Sequence, residues 1–197
     1  MSIQVRRPKL ILLQALVALG VHAEATTIEK VDFVETMKVD DVELKLNGVG
    51  LRKVERFGLP FKVYVAGLYL KVARSDANEI LESEDPKFLR MVFVRRVNAP
   101  DLVDGFEKGH ASNCLKDCGQ SKKILRKLTD KISDILDKGS MEFVFKKDKL
   151  EYAINGRKSE KGSIDDKVFA KNFLATFIGK EPPTPDLKQG LLGLKRP

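Results

Sequence analysis

Arg52 is the side chain in this sequence best placed to do chemistry. It closes the stretch Gly48-Val49-Gly50-Leu51-Arg52, at the start of a run, Val49 to Phe57, that reads as a strand. A guanidinium there has two uses. Exposed, it pairs with Glu55 or with an acidic helix residue. Turned into a cleft, it offers five donors in a fixed fork to a carboxylate or a phenolate. A second run, Phe61 to Val72, is rich in Val, Tyr and Phe, has no internal proline and reads as the partner strand, with the turn at Phe57–Pro60. An inward arginine on one strand and an inward tyrosine on the next would set a cation and a hydroxyl on one sheet face.

The other reactive residue types are sparse. His110 is the one histidine beyond residue 23, and on a helix it reads as a packing residue. Cys114 and Cys118 are the two cysteines. Two cysteines and one histidine offer no known zinc-ligand spacing, so neither a metal nor a cofactor is expected. At a separation of four on an ideal helix the two cysteine Cα atoms lie about 6 Å apart, within disulfide range. An oxidising compartment would permit them to pair, and the sequence leaves a disulfide and two free thiols equally open. A redox role fits less well, because the spacing is not Cys-x-x-Cys.

The elements that must position these residues alternate little between strand and helix. Glu24 to Lys38 reads as a strand or arm, and Asp40 to Leu46 alternates as a strand. Asp76 to Ser83 reads as a short helix capped by Ser75 or Asp76. Lys87 to Val97 reads as a strand between prolines. Pro100 to Cys118 has helical spacing of Leu102, Val103, Phe106, His110 and Cys114, with Gly119 as its stop. Ser121 to Leu136 carries the clearest amphipathic stripe, from Ile124 to Leu136, and Gly139 ends it. Met141–Lys147 and Leu150–Asn155 pair as strands, and Asn155-Gly156 is a turn. Asp165 to Ile178 is helical with Gly179 as its stop, and a last short helix follows the prolines. Antiparallel strands with several long helices predict an α+β fold.

Bulk composition narrows the function. With 197 residues, 43% hydrophobic and 32% charged, the chain is long enough for one domain with a sizeable core. Residues 1–23 have the order of a secretory signal: basic Arg6, Arg7 and Lys9, an apolar Leu10–Val21, then Val21-His22-Ala23. That apolar run is too short to span a bilayer. Removing residues 1–23 takes away those three cations and lowers the net charge from +8 to +5. The remaining cations are interleaved with acids and form no stripe with aromatics, which argues against nucleic acid as a partner. A mildly basic chain favours small anionic ligands or anionic surfaces.

Gly48-x-Gly50-x-Arg52 followed by Tyr64-x-Ala66-Gly67-Leu68-Tyr69-Leu70 resembles the chalcone isomerase fold family, most closely its bacterial secreted chalcone isomerase-like branch. VNAPDLVDGFEKGHASNC and the segment from Ala153 to Gly193 extend the likeness over most of residues 24–197. The resemblance implies an open β-sandwich, a large antiparallel sheet covered by helices with a ligand cleft between them. In catalytic members a phenolate adds to an enone within one substrate. An arginine steers the phenolate, a Thr and a helix Tyr polarise the ketone, and a helix Asn and a late Thr bind the far ring. Position by position, these fall on Arg52, Tyr64 in place of the Thr, Phe106 in place of the Tyr, Asn113 and Thr176. Phe106 has no hydroxyl, and Tyr64 carries its own on a longer arm. Losing a positioned donor to a developing oxyanion costs orders of magnitude in rate.

The reading is therefore an exported, periplasmic or secreted protein that binds an amphipathic anion such as a fatty acid without catalysis. Arg52, Tyr64, Asn113 and Thr176 would line the polar end, and Phe106, Phe173 and Phe177 the apolar wall. The alternatives are an active isomerase of the intramolecular lyase type, and an interaction protein whose cleft is filled.

Overall fold

One long hairpin dominates the molecule: β4 (Val42–Arg56) and β5 (Leu59–Leu70). The computed structural model describes residues 25–195; the expected signal and its cleavage point after Ala23 lie outside them. The hairpin turns on Phe57 and Gly58, both with positive φ (54° and 74°), as a two-residue turn matched to strand twist requires. Around it the chain forms a seven-stranded antiparallel sheet in sequence order, β3-β4-β5-β6-β7-β8-β9. The added strands are β3 (Thr36–Val39), β6 (Lys87–Phe93), β7 (Ser140–Phe145), β8 (Leu150–Asn155) and β9 (Ser159–Ile164). A separate ribbon of β1 (Ala25–Ile28) and β2 (Val31–Val34) covers the other face.

The sheet is buried on both sides, which explains the unbroken apolar run of β5. Ala66, Leu68 and Leu70 belong to the core under the helices, whereas Val65 and Tyr69 belong to a second core with Phe33 of β2. Period-two alternation sends neighbours to opposite cores. Gly67 leaves room for the Phe33 ring, whose Cε1 would lie 2.8 Å from any Cβ there.

The helices are α1 (Ala77–Glu82), α2 (Ala99–Asn113), α3 (Cys118–Thr129), α4 (Lys167–Ile178) and α5 (Pro185–Leu191). α1 is capped by Asp76, whose carboxylate accepts from the Asn78 and Glu79 amides. α4 is capped by Asp166, and its Phe169, Phe173 and Phe177 are fully buried on the sheet.

Two helix boundaries and one strand end differ from expectation. The helix expected through Cys118 stops at Asn113, and Gly119 lies in the first turn of α3 instead of ending a helix. The break is held by Asn172 of α4, whose carboxamide accepts from the Leu115 and Lys116 amides and donates to the Lys116 carbonyl. Asp117 turns the corner at φ 50°. The stripe expected to Leu136 ends at Thr129. Ile135 is instead buried by a backbone bridge to Val97, with two hydrogen bonds of 2.9 Å. That bridge also ends β6 at Phe93 rather than Val97. β9 has no apolar alternation to announce it; it is an exposed edge, SEKGSI, paired to β8.

Candidate functional site

Gly48, Gly50 and Arg52 alternate along β4, so all three face the helices. The two glycines do not touch a ligand site; they seat α5. A Cβ on Gly50 would fall on the Leu187 carbonyl and 2.9 Å from Leu187 Cα, and one on Gly48 would lie 2.8 Å from the Gly193 nitrogen. From α5 the backbone approach is reciprocal, since a Cβ on Gly190 would sit 2.5 Å from Gly50 Cα. Asn47 locks the same contact by donating to the Leu191 carbonyl at 2.8 Å. Arg52 is the next residue on that face and emerges beyond the start of α5, beside Pro183.

Arg52 lies at the floor of an open cleft of about 850 Å³. Val54, Phe61 and Val63 form one wall from the hairpin; Leu102, Gly105 and Lys108 of α2 form another. Pro182 and Pro183 close a third side, and Arg95 and Arg96 stand at the rim. α2 approaches Arg52 at Gly105, where a Cβ would lie in ordinary contact, 3.5 Å from a terminal guanidinium nitrogen. Beneath Arg52 is a chamber of about 20 Å³, bounded by Tyr64, Met91, Phe106, Thr176 and Phe177. That is room for about one water.

The Nε of Arg52 is buried and has no hydrogen-bond partner. A buried unmet donor costs about 1–3 kcal/mol, and this one belongs to a side chain that lines the cleft. Tyr64 is paired with Arg52 across the ladder, and the guanidinium carbon lies 5.7 Å from its ring centroid. Burial pushes the Tyr64 hydroxyl above its ordinary pKa, against the opposing charge and hydrogen bond of Arg52. The hydroxyl therefore keeps its proton at neutral pH.

Of the residues expected at the site, the structure gathers Arg52, Tyr64, Phe106 and Thr176 around the small chamber. Asn113 lies apart from both cavities. Its side chain donates to the Gly109 and Glu181 carbonyls (2.8 and 2.6 Å) and accepts from the Glu181 amide at 2.8 Å. It thus holds the segment that carries Pro182 and Pro183 over Arg52. The Thr176 hydroxyl donates to the Phe173 carbonyl at 2.7 Å, which leaves its lone pairs toward the chamber. Phe106 packs against Phe173 (tilted) and Phe177 (edge to face) with centroids 5.5 and 6.2 Å apart, and Phe143 joins them. The space expected to hold an apolar tail between sheet and helices is thus filled by aromatic rings.

Cys114 and Cys118 form a disulfide across the α2–α3 corner, with Cα atoms 5.7 Å apart. His110 is buried and its Nε2 bonds the Ser121 hydroxyl at 2.7 Å, pinning α2 to α3. Burial first, and Lys122 second, lower its pKa, so the ring is neutral at pH 7. Among the described residues no group of three His, Cys, Asp or Glu is placed to hold a metal. Nor is any helix there long and apolar enough to cross a membrane.

Phe61, Arg95, Arg96 and Pro183 are cleft residues that sequence reasoning did not select. Arg95-Arg96 was visible as a basic pair, but the expected strand through Val97 gave no reason to turn it toward Arg52. Local pattern carries no signal for Pro183, which reaches the cleft only through the seating of α5.

Solved structures provide a comparison. The crystal structure of a fatty-acid binding protein of Arabidopsis thaliana superposes with a TM-score of 0.69, covering 86% of this chain and 96% of that one, at 18% identity. At that identity the likeness shows a common fold. No curated protein matches in sequence. The family model described as chalcone isomerase-like matches residues 25–193, nearly the whole of the described structure. The chain belongs to the chalcone isomerase-like family.

Proposed function

We propose that this protein is exported and binds an amphipathic anion, such as a fatty acid, without catalysing a reaction. The observation that carries the reading is Arg52, which lines an 850 Å³ cleft and whose buried Nε has no partner. A carboxylate in the cleft would find the charge and the fork geometry of this guanidinium. The cleft is within the range of about 300–1,000 Å³ usual for small-molecule sites. The solved neighbour of the same fold is titled a fatty-acid binding protein, which supports the ligand class. The closed aromatic cluster favours a tail lying in the open cleft, along Val54, Phe61, Val63 and Leu102, over one between sheet and helices.

Isomerase chemistry is disfavoured by the same geometry. Phe106 offers no proton, and the Tyr64 hydroxyl is buried against Arg52. Ring closure of a 2′-hydroxychalcone, followed by absorbance, is expected to run at the buffer rate. Mass spectrometry of an organic extract from the purified protein tests the binding reading. It is expected to yield an amphipathic anion, and the stripped protein is expected to rebind a long-chain fatty acid at micromolar levels. An empty extract with no rebinding would leave the filled-cleft interaction protein as the better account.

Export is supported by the order of residues 1–23 and by the Cys114–Cys118 bond, which suits an oxidising compartment. Intact mass of protein recovered outside the cytoplasm is expected to match a chain starting at Glu24. Soluble cytosolic protein that keeps Met1 to Ala23 would contradict this.

A further inference from the structure

We infer that the tip of the β4–β5 hairpin inserts into the surface of an anionic lipid bilayer. The backbone from Lys53 to Lys62 pairs only within the hairpin, since β6 joins β5 at Tyr64. It therefore reaches past the sheet as a two-stranded ribbon. At its end Phe57 is 101% exposed and Leu59 61% exposed. Phe57 also occupies a left-handed position, φ 54°, that suits Asn, Asp or Gly and penalises a bulky ring. The phenyl group packs on nothing and the turn would form more readily without it. Its presence is explained by a partner outside the chain.

Three observations favour lipid as that partner. The tip borders the cleft, because Phe57 and Phe61 both line it, so an amphipath leaving a bilayer would pass directly toward Arg52. That step rests on the binding reading above; the insertion itself does not. Cations flank the tip: Lys53 and Lys62 on the ribbon, Arg95 and Arg96 beside it. Glu55, and the pairings of Lys62 with Glu29 and of Arg96 with Asp134, offset part of that charge. Arg95 has no ion pair among the described residues; its guanidinium carbon stacks 4.9 Å from the Phe61 centroid, exposed toward the same side. An aromatic tip beside an exposed arginine matches the apolar boundary and anionic head groups of a bilayer surface.

The chain has no tryptophan, so Phe57→Trp supplies a single reporter at the tip. Mixed with vesicles of phosphatidylglycerol and phosphatidylcholine, this variant is expected to shift its emission to the blue and to be quenched by brominated acyl chains. Phe57→Asn restores a favoured Asn-Gly turn. It is expected to keep or raise Tm and to reduce vesicle binding by about tenfold. Pure phosphatidylcholine vesicles and added salt are expected to weaken binding of the wild-type chain. Unshifted emission with vesicles, or full vesicle binding by Phe57→Asn, overturns the proposal and leaves a protein partner for the tip. Binding indifferent to lipid charge overturns the anionic assignment. Failure of fatty-acid binding with vesicle binding intact would count against the cleft reading alone.

Discussion

Arg52→Ala is expected to weaken fatty-acid binding by roughly tenfold to a hundredfold and to weaken binding of the matching fatty alcohol far less. A charged hydrogen bond contributes about 1.5–3 kcal/mol, which corresponds to that range of affinity. The tail contributes more in gross terms, about 0.8 kcal/mol per buried CH₂, but much of this is offset by the cost of association and ordering. Affinity is therefore expected to follow the tail, and Arg52 to select the head group. Arg52→Lys keeps the charge but loses the fork and the Nε donor, so it is expected to fall between wild type and alanine. Calorimetric titration of stripped protein with both ligands decides the matter. The variant should stay folded, because Arg52 is only half-buried and its Nε has no internal partner to lose. Equal loss for acid and alcohol would show that Arg52 supports the walls of the cleft and does not hold the head group.

Gly50→Ala is expected to be among the most destabilising single-methyl changes in the chain, by about 3 kcal/mol, or about 6–12 °C in Tm. The added carbon meets backbone, the Leu187 carbonyl and Cα, and backbone cannot rotate aside as a side-chain tip can. Relief requires α5 to lift from β4, which exposes the buried Leu187, Leu191 and Leu192. Gly119→Ala is the internal control. A Cβ there meets nothing within 4 Å, and the residue lies in the first turn of α3. It should leave Tm unchanged or raise it slightly, since Ala is the better helix former. Thermal unfolding of the two variants side by side separates a packing clash from a general intolerance of glycine replacement. Equal Tm values for Gly50→Ala and wild type would mean that α5 is not seated on the glycines.

These two residues show how the motif divides its labour. Gly48-x-Gly50-x-Arg52 looked like a ligand-binding unit in the sequence. In the fold only the arginine faces the cleft, and the glycines act at one remove by seating the helix whose leading segment places Pro183 beside Arg52. Asn113 works in a similar way from α2, through both backbone groups of Glu181. A residue matched to a binding role by its position in a motif therefore serves here to hold a cleft wall.

What the sequence determined by itself was whatever depends on neighbours in the chain. Period-two alternation and β-branched runs set the strands; the Asp76, Asp166 and Thr184 caps set where α1, α4 and α5 begin. The turn at Phe57 and Gly58 sets the pairing from Arg56–Leu59 to Lys53–Lys62, but continued alone it would pair Arg52 with Val63; a β-bulge between Arg52 and Lys53 brings Arg52 opposite Tyr64. Tertiary structure decided the rest, because it depends on contacts between residues far apart in sequence. Asn172 breaks the α2–α3 connection from about 57 positions away, and Val97 captures Ile135 before α3 can extend to it. The apolar wall legible in Phe106, Phe173 and Phe177 became a closed cluster, because rings that share a helix face pack on one another unless something holds them apart. The cleft then opened above Arg52, where two glycine-bearing elements and a proline turn meet, and that meeting exists only once α5 has found its seat.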